Sequence, residues 1–259
     1  MVIAVLCALV AGCATSPTGR KQLMLVSDQQ MNHLGVQAFN TLGKQVKFAD
    51  APREQAYARC VADALIAVLP ARWRNQPWQV RIIRDNSANA FALPGGRIGV
   101  NQGMFKVATT PAELAAVLGH ELAHVVSRHG AERMSDNLAV RGAVMAGTLY
   151  GAAQGNDAGR TMAALGLGAQ VGILLPFSRT QESEADTLGQ RYMAEAGFDP
   201  RAAVTLWQKL AAQGGKVPVF LSTHPSPGQR ASKLAQQAQA LMPVYRQALQ
   251  NGHAPRCTL

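Results

Sequence analysis

Residues 110–129 read TPAELAAVLGHELAHVVSRH, and a single helix accounts for them. Thr110 suits an N-cap, Pro111 suits the first helical position, and Glu113 stands three after Thr110, completing a capping box. Leu114, Val117, Leu118, Leu122, Val125 and Val126 recur at helical spacing and build an apolar face. Within it, His120-Glu121-Leu122-Ala123-His124 forms an H-E-x-x-H pattern. A spacing of four is just over one turn, so both imidazoles leave one side of the helix and can share an ion. Glu121 points to an adjacent face, where it can reach a water at the metal without ligating it. Short patterns of this kind also arise by chance on surface helices. Here the apolar, capped context predicts buried histidines, and a buried imidazole with no partner is costly.

A catalytic zinc takes three protein ligands and keeps one position open. The HExxHxxGxxH arrangement would need Gly at 127 and His at 130, whereas this chain has Ser127 and Gly130. The third ligand is therefore sought on a second helix, in Arg179-Thr180-Gln181-Glu182-Ser183-Glu184-Ala185-Asp186. Glu182 and Asp186 are four apart and share a face, so Glu182 can ligate while Asp186 fixes a histidine tautomer. Glu184 is the reserve candidate. The competing reading of the cluster is a solvated helix start.

HELAH, then QESEAD, then Ser222-Thr223-His224-Pro225-Ser226-Pro227 with Arg230 beyond, resemble the gluzincin metallopeptidases related to the CAAX prenyl protease and HtpX. More narrowly the chain is similar to their soluble periplasmic lipoprotein branch, of the BepA and LoiP type. Thr18-Gly19-Arg20 with Gln22-Leu23, and Asn89 to Gly96, carry that likeness, which runs from about residue 18 to about residue 235. It implies an α+β, mainly helical zincin-like domain with a small sheet at the active-site edge. It implies one zinc per chain on His120, His124 and Glu182, with Glu121 as the base. It also implies that His224 and Arg230 flank the scissile carbonyl as oxyanion donors. Alternatively His224 is itself a ligand that keeps the enzyme latent. A structural His-Pro turn is the plain reading. The strand ahead of the zinc helix is an edge in such enzymes, which makes Asn89, Ala90 and Phe91 the substrate-binding candidates by strand addition.

The 259 residues suffice for one substantial core, and 48% hydrophobic with 15% charged content describes a globular chain. The net charge of +10 is spread over scattered arginines with no nucleic-acid module, so nucleic acid is not expected as a partner. Leu9-Val10-Ala11-Gly12-Cys13 looks like a lipobox, although no positively charged region precedes it. Residues 1–12 are accordingly read as a lipoprotein signal peptide, 13–26 as an extended tether from a lipidated Cys13, and 27–259 as the metallopeptidase domain. The mature chain would keep Cys60 and Cys257, which an oxidising compartment would pair.

Farther along, Ser27 with Gln30 caps a helix to about Leu42, and Pro52 opens another to about Leu69. Strands are expected at Trp78 to Arg84, Ala90 to Ala92 and Arg97 to Val100. The Gly-, Ala- and Met-rich stretch Leu138 to Phe177 reads as two weak helices around a loop, first of all a lid over the cleft. Helices follow to about Ala196, then with Val204, Trp207 and Leu210 inward, and from Pro227 to about Gln250.

The function expected is a periplasmic zinc endopeptidase anchored to the outer membrane, acting on misfolded or stalled envelope proteins as the resemblance implies. Outer-membrane assembly machinery is a further expected partner. The alternative is an assembly factor or chaperone whose protease site is suppressed. Zinc hydrolysis of a non-peptide substrate fits an edge strand less well.

Overall fold

The structure, a computed structural model, describes residues 13–153, 177–212, 219–224 and 230–259. Strands β1 (Cys13–Thr15) and β2 (Lys21–Leu23) pair antiparallel across a turn in which Gly19 adopts φ +91°. Helix α1 (Asp28–Gln45) starts at a capping box: Gln30 N donates to Ser27 Oγ and Ser27 N to Gln30 Oε1. Pro52 opens α2 (Pro52–Ala67), which buries Tyr57, Val61 and Leu65, and the short α3 (Ala71–Arg74) follows. β3 (Gln79–Ile83), β4 (Ala90–Leu93) and β5 (Arg97–Asn101) form a sheet in the order β3-β5-β4. β5 runs parallel to β3 and antiparallel to β4, so among the described residues β4 is an edge. The turn between β4 and β5 needs φ +82° at Gly95 and +76° at Gly96, conformations that side-chain-bearing residues rarely adopt. A 3₁₀ helix at Gln102–Lys106 and then six α-helices complete the described chain. The six are α4 (Pro111–Val126), α5 (His129–Ala153), α6 (Arg179–Glu195), α7 (Ala202–Ala212), α8 (Val219–Thr223) and α9 (Arg230–Gln250). The fold is mainly helical α+β with small sheets.

The residues fall into two compact units. One lies within Met1–Met31 and Arg128–Pro176, the other within Asn32–Ser127 and Phe177–Leu259. In the first, residues 13–26 are not an extended tether but the β1–β2 hairpin with its flanks. Arg20 pairs with both carboxylate oxygens of Glu132 on α5, and Gln22 Nε2 donates to Glu132 Oε2 at 3.2 Å. Leu25 N donates to Ser135 Oγ at 2.8 Å. Glu132 is buried, and a buried carboxylate requires such partners. They stand more than a hundred residues away in sequence, which no local pattern reveals. The helix read as running to His129 also divides. It stops at Val126, Arg128 takes a left-handed φ of +59° and pairs with Asp28 at 2.6 Å, and a new helix begins at His129.

In the second unit α4 is the central element, packed on by α6, β4, α2 and α7. Its apolar face, Leu114, Val117, Leu118, Leu122, Val125 and Val126, is fully buried in the core. Glycines let α4 and α6 meet backbone to backbone. A Cβ on Gly119 would lie 2.9 Å from Gly189 O, and one on Gly189 would lie 2.7 Å from His120 N. Behind α2, a disulfide joins Cys60 to Cys257 near the end of the chain, with 5.7 Å between their Cα atoms.

Candidate metal centre

Thr110 caps α4 as its sequence predicts: Glu113 N donates to Thr110 Oγ1, and Thr110 N donates to Glu113 Oε2. Lys209 Nζ, 2.6 Å from Glu113, adds a charge partner. Burial opposes ionisation of Glu113, but hydrogen bonds from Lys209 and Thr109 prevail and hold its carboxyl below the usual range. The cap fixes where α4 begins, hence where its third and fourth turns place His120, Glu121 and His124. All three are buried.

On α6, Ser178 caps and Gln181 closes the capping box, leaving Glu182 in the first turn, buried and facing α4. The donor atoms of His120, His124, Glu182 and His224 converge within 4.8 Å of one another. His120 Nε2 is 3.0 Å from His124 Nε2 and 3.4 Å from Glu182 Oε2. Glu182 Oε1 is 3.4 Å from His124 Nε2 and 2.8 Å from His224 Nδ1. Four tetrahedral ligands at zinc bond lengths stand roughly 3.3 Å apart. Three imidazole nitrogens crowded on one carboxylate at such separations fit a cation in their midst. The reserve candidate Glu184 does not belong to this group.

Supporting contacts orient the donors. The His120 Nδ1–H group, 3.0 Å from Asp186 Oδ1, donates there and leaves Nε2 as the free lone pair. Arg230 lies behind Glu182: Nη1 donates to Glu182 Oε2 at 3.1 Å, and Nη2 donates to Asp186 Oδ1 at 2.5 Å. Its guanidinium is stacked 3.4 Å from the Trp207 ring centroid. These donors face Glu182 and Asp186 of α6, the second of which steadies His120. Burial opposes ionisation of Glu182, but hydrogen bonds from His120, His124 and His224 outweigh it, so the carboxyl lies far below the ordinary range. For Glu121, burial raises the pKa, and nearby His224 and His120 offset that only in part.

Glu121 stands beside the sheet edge, its carboxylate facing the backbone of Ala92, which favours the ionised form. Its Oε1 has no hydrogen-bond partner among the described residues and lies 3.4 Å from His224 Nε2. The His224 ring thus sits between the ligand atoms and Glu121. Of the proposed substrate-binding residues, Asn89 O accepts from Asn101 N, Ala90 is buried, and the Phe91 ring covers Gly99 and meets Phe39 edge-on at 6.3 Å. What β4 presents to the site is backbone.

Aromatic rings that the sequence reading did not assign to the site enclose it. Phe177 stacks on His124, Phe220 stacks on His224, and Trp207 meets His120 edge-on. Trp207 reads as an inward residue of its helix. Phe177 carries no signal beyond closing an apolar stretch. Cys13 is exposed at the start of β1. The signal-peptide reading (1–12), most of the lid segment (154–176), and Pro225 and Pro227 lie outside the described residues.

A family model described as Peptidase family M48 matches residues 52–238. The mitochondrial metalloendopeptidase OMA1 of Schizosaccharomyces pombe is 43% identical over 160 residues, 61% of this chain and 45% of that protein. The OMA1 of Arabidopsis thaliana is 42% identical over 175 residues, 66% of this chain and 34% of its own length. The beta-barrel assembly-enhancing protease of Escherichia coli K12 is 32% identical over 183 residues, 66% of this chain and 37% of that protein. The chain thus spans under half the length of these relatives.

Proposed function

Because the chain belongs to peptidase family M48, we propose that it is a zinc-dependent endopeptidase of unfolded proteins whose site His224 holds shut. One observation carries the reading. Glu121, with an oxygen that has no hydrogen-bond partner among the described residues, stands between a His-His-Glu donor set and the backbone of an edge strand.

His120, His124 and Glu182 would hold the zinc. When bound there, it polarises the scissile carbonyl and acidifies a water molecule. An extended peptide added to β4 is gripped through its main chain, so recognition asks little of side-chain sequence. That suits unfolded substrates. Glu121 Oε1 takes the proton of the attacking water and delivers it to the departing amine. Asp186 keeps the His120 proton on Nδ1, and Arg230 holds Glu182 and Asp186 in register from behind.

His224 Nδ1 stands among the ligand atoms and its Nε2 faces Glu121. The ring fills the space that water and substrate carbonyl must share, which supports the latent-ligand reading over the donor reading. A self-closed site also lends weight to the alternative of an assembly factor with suppressed proteolysis. For location we take the periplasmic face of the outer membrane, with lipid on Cys13. The Leu9–Cys13 pattern and a disulfide suited to an oxidising compartment support that. Misfolded or stalled envelope proteins are then the substrates at hand.

Casein cleavage by the zinc-replete chain tests the enzyme reading. Wild type should cleave slowly, His224→Ala faster, and metal-loaded Glu121→Gln slower by about 10²–10⁴-fold. Normal turnover in metal-loaded Glu121→Gln sinks the mechanism, and a slower His224→Ala restores the oxyanion-donor role. Rescue of an envelope defect by Glu121→Gln would favour the assembly factor. Detergent partitioning of wild type but not Cys13→Ser is the expected sign of lipidation.

A further inference from the structure

Phe177 occupies the position just before the N-cap of α6. An apolar residue there ordinarily packs on the fourth residue of the helix, closing a hydrophobic staple. In α6 that residue is Glu182, a metal donor, so the usual partner is missing. The Phe177 ring goes to two imidazoles instead. It stacks on His124 with centroids 4.0 Å apart at 29°, and on His224 at 5.4 Å and 23°. The Phe220 ring also stacks on His224, at 4.6 Å and 28°. His224 itself follows the five-residue α8, and its N–H donates to Phe220 O at 2.9 Å. So short an element gives the ring little support of its own, and neighbouring rings supply the rest.

We propose that Phe177 is a positioning residue for His224, its ring joining that of Phe220 to hold the imidazole among the metal donors. This rests on the reading that His224 in this place is a fourth donor and shuts the site. One aromatic pair shifts an equilibrium by roughly 2- to 10-fold. Phe177 therefore sets the fraction of molecules in which the fourth position is closed, without touching substrate. Its stack on His124 is shared with the open state, whereas its stack on His224 exists only in the closed one.

The test uses the full chain loaded with Co²⁺, whose visible absorption reports the ligand set, together with casein cleavage of the zinc form. His224→Ala should change the cobalt spectrum. Phe177→Ala should move the wild-type spectrum toward that of His224→Ala and raise cleavage about 2- to 10-fold. Phe177→Tyr should restore the wild-type spectrum, and Phe177→Ala should add nothing in a His224→Ala background. Phe177→Leu, which keeps apolar volume but no ring, replaces the alanine variant if that one folds poorly. A wild-type spectrum in Phe177→Ala and Phe177→Leu, with His224→Ala altered, overturns the proposal and leaves the latch standing. An unaltered spectrum in His224→Ala overturns both. Cobalt loss from Phe177→Leu in the presence and absence of His224 alike marks a role for the whole cluster and overturns the proposal too.

Discussion

At the residue scale, the site depends on which charges are buried and what holds them. Glu182 contributes one oxygen facing His120 and another facing His124 and His224, with Arg230 behind. Glu182→Gln keeps the shape but removes the negative charge a dication needs. Zinc affinity, measured by competition with a chromogenic chelator, should fall by well over the 10- to 100-fold typical of lost supporting contacts. Asp186→Asn should cost about that 10- to 100-fold, because the carboxylate accepting the His120 Nδ1 proton is neutralised. If Asp186→Asn binds zinc like wild type, the tautomer argument is wrong. Glu113 gives a pH-dependent case. Its folded pKa lies below its ordinary value of 4.5, so its ionised form stabilises the fold above that pH. That stabilisation disappears as pH falls through the folded value. Thermal melts of metal-free wild type and Glu113→Gln should differ at pH 7 and converge in acid. A gap that widens toward acid contradicts the sign.

At the element scale, the metal donors are carried by α4 and α6, which meet at Gly119 and Gly189. A methyl group at Gly189 would lie 2.7 Å from His120 N, against backbone that cannot turn aside as a side chain can. Gly189→Ala should therefore destabilise the fold by about 1–3 kcal/mol, as overpacking does, and weaken zinc binding by separating Glu182 from His120. Denaturant unfolding with zinc titration checks both. The same elements show what was legible in the sequence. The capping box at Thr110 and the 3.6-residue period mark α4, and the i, i+4 relation of Glu182 to Asp186 picks out α6, because both signals are local. The close approach at Gly119 and Gly189 was not legible, since a lone glycine in a helix has no sign naming its partner. Nor was the break at Arg128, where an arginine adopts a left-handed conformation that its type does not announce. The hairpin at β1 and β2 escaped for a related reason: its stabilising carboxylate, Glu132, belongs to a distant helix. The 3.4 Å stack of Arg230 on Trp207 likewise joins residues no short pattern connects.

At the scale of the whole molecule, the Cys60–Cys257 disulfide closes a loop of sequence separation 197. In the chain-entropy model a loop of that length stabilises the fold by about 5 kcal/mol, and native disulfides typically contribute about 2–5 kcal/mol. Replacing both cysteines by serine should lower the melting temperature by several degrees, with the metal site still able to load. An unchanged melting temperature would mean that the unfolded chain is already restrained at those points. The loop has a topological consequence as well. His120, Glu121, His124, Glu182, His224 and the edge strand β4 all lie between the two cysteines, so the working parts sit on one covalent ring. A single cut anywhere in that ring opens it without releasing a fragment. For a chain that cuts polypeptides as proposed, and that meets other copies of itself, a nick therefore changes connectivity but not composition. Such molecules would run as one band until reduced, and could keep every donor in place after the backbone has been broken.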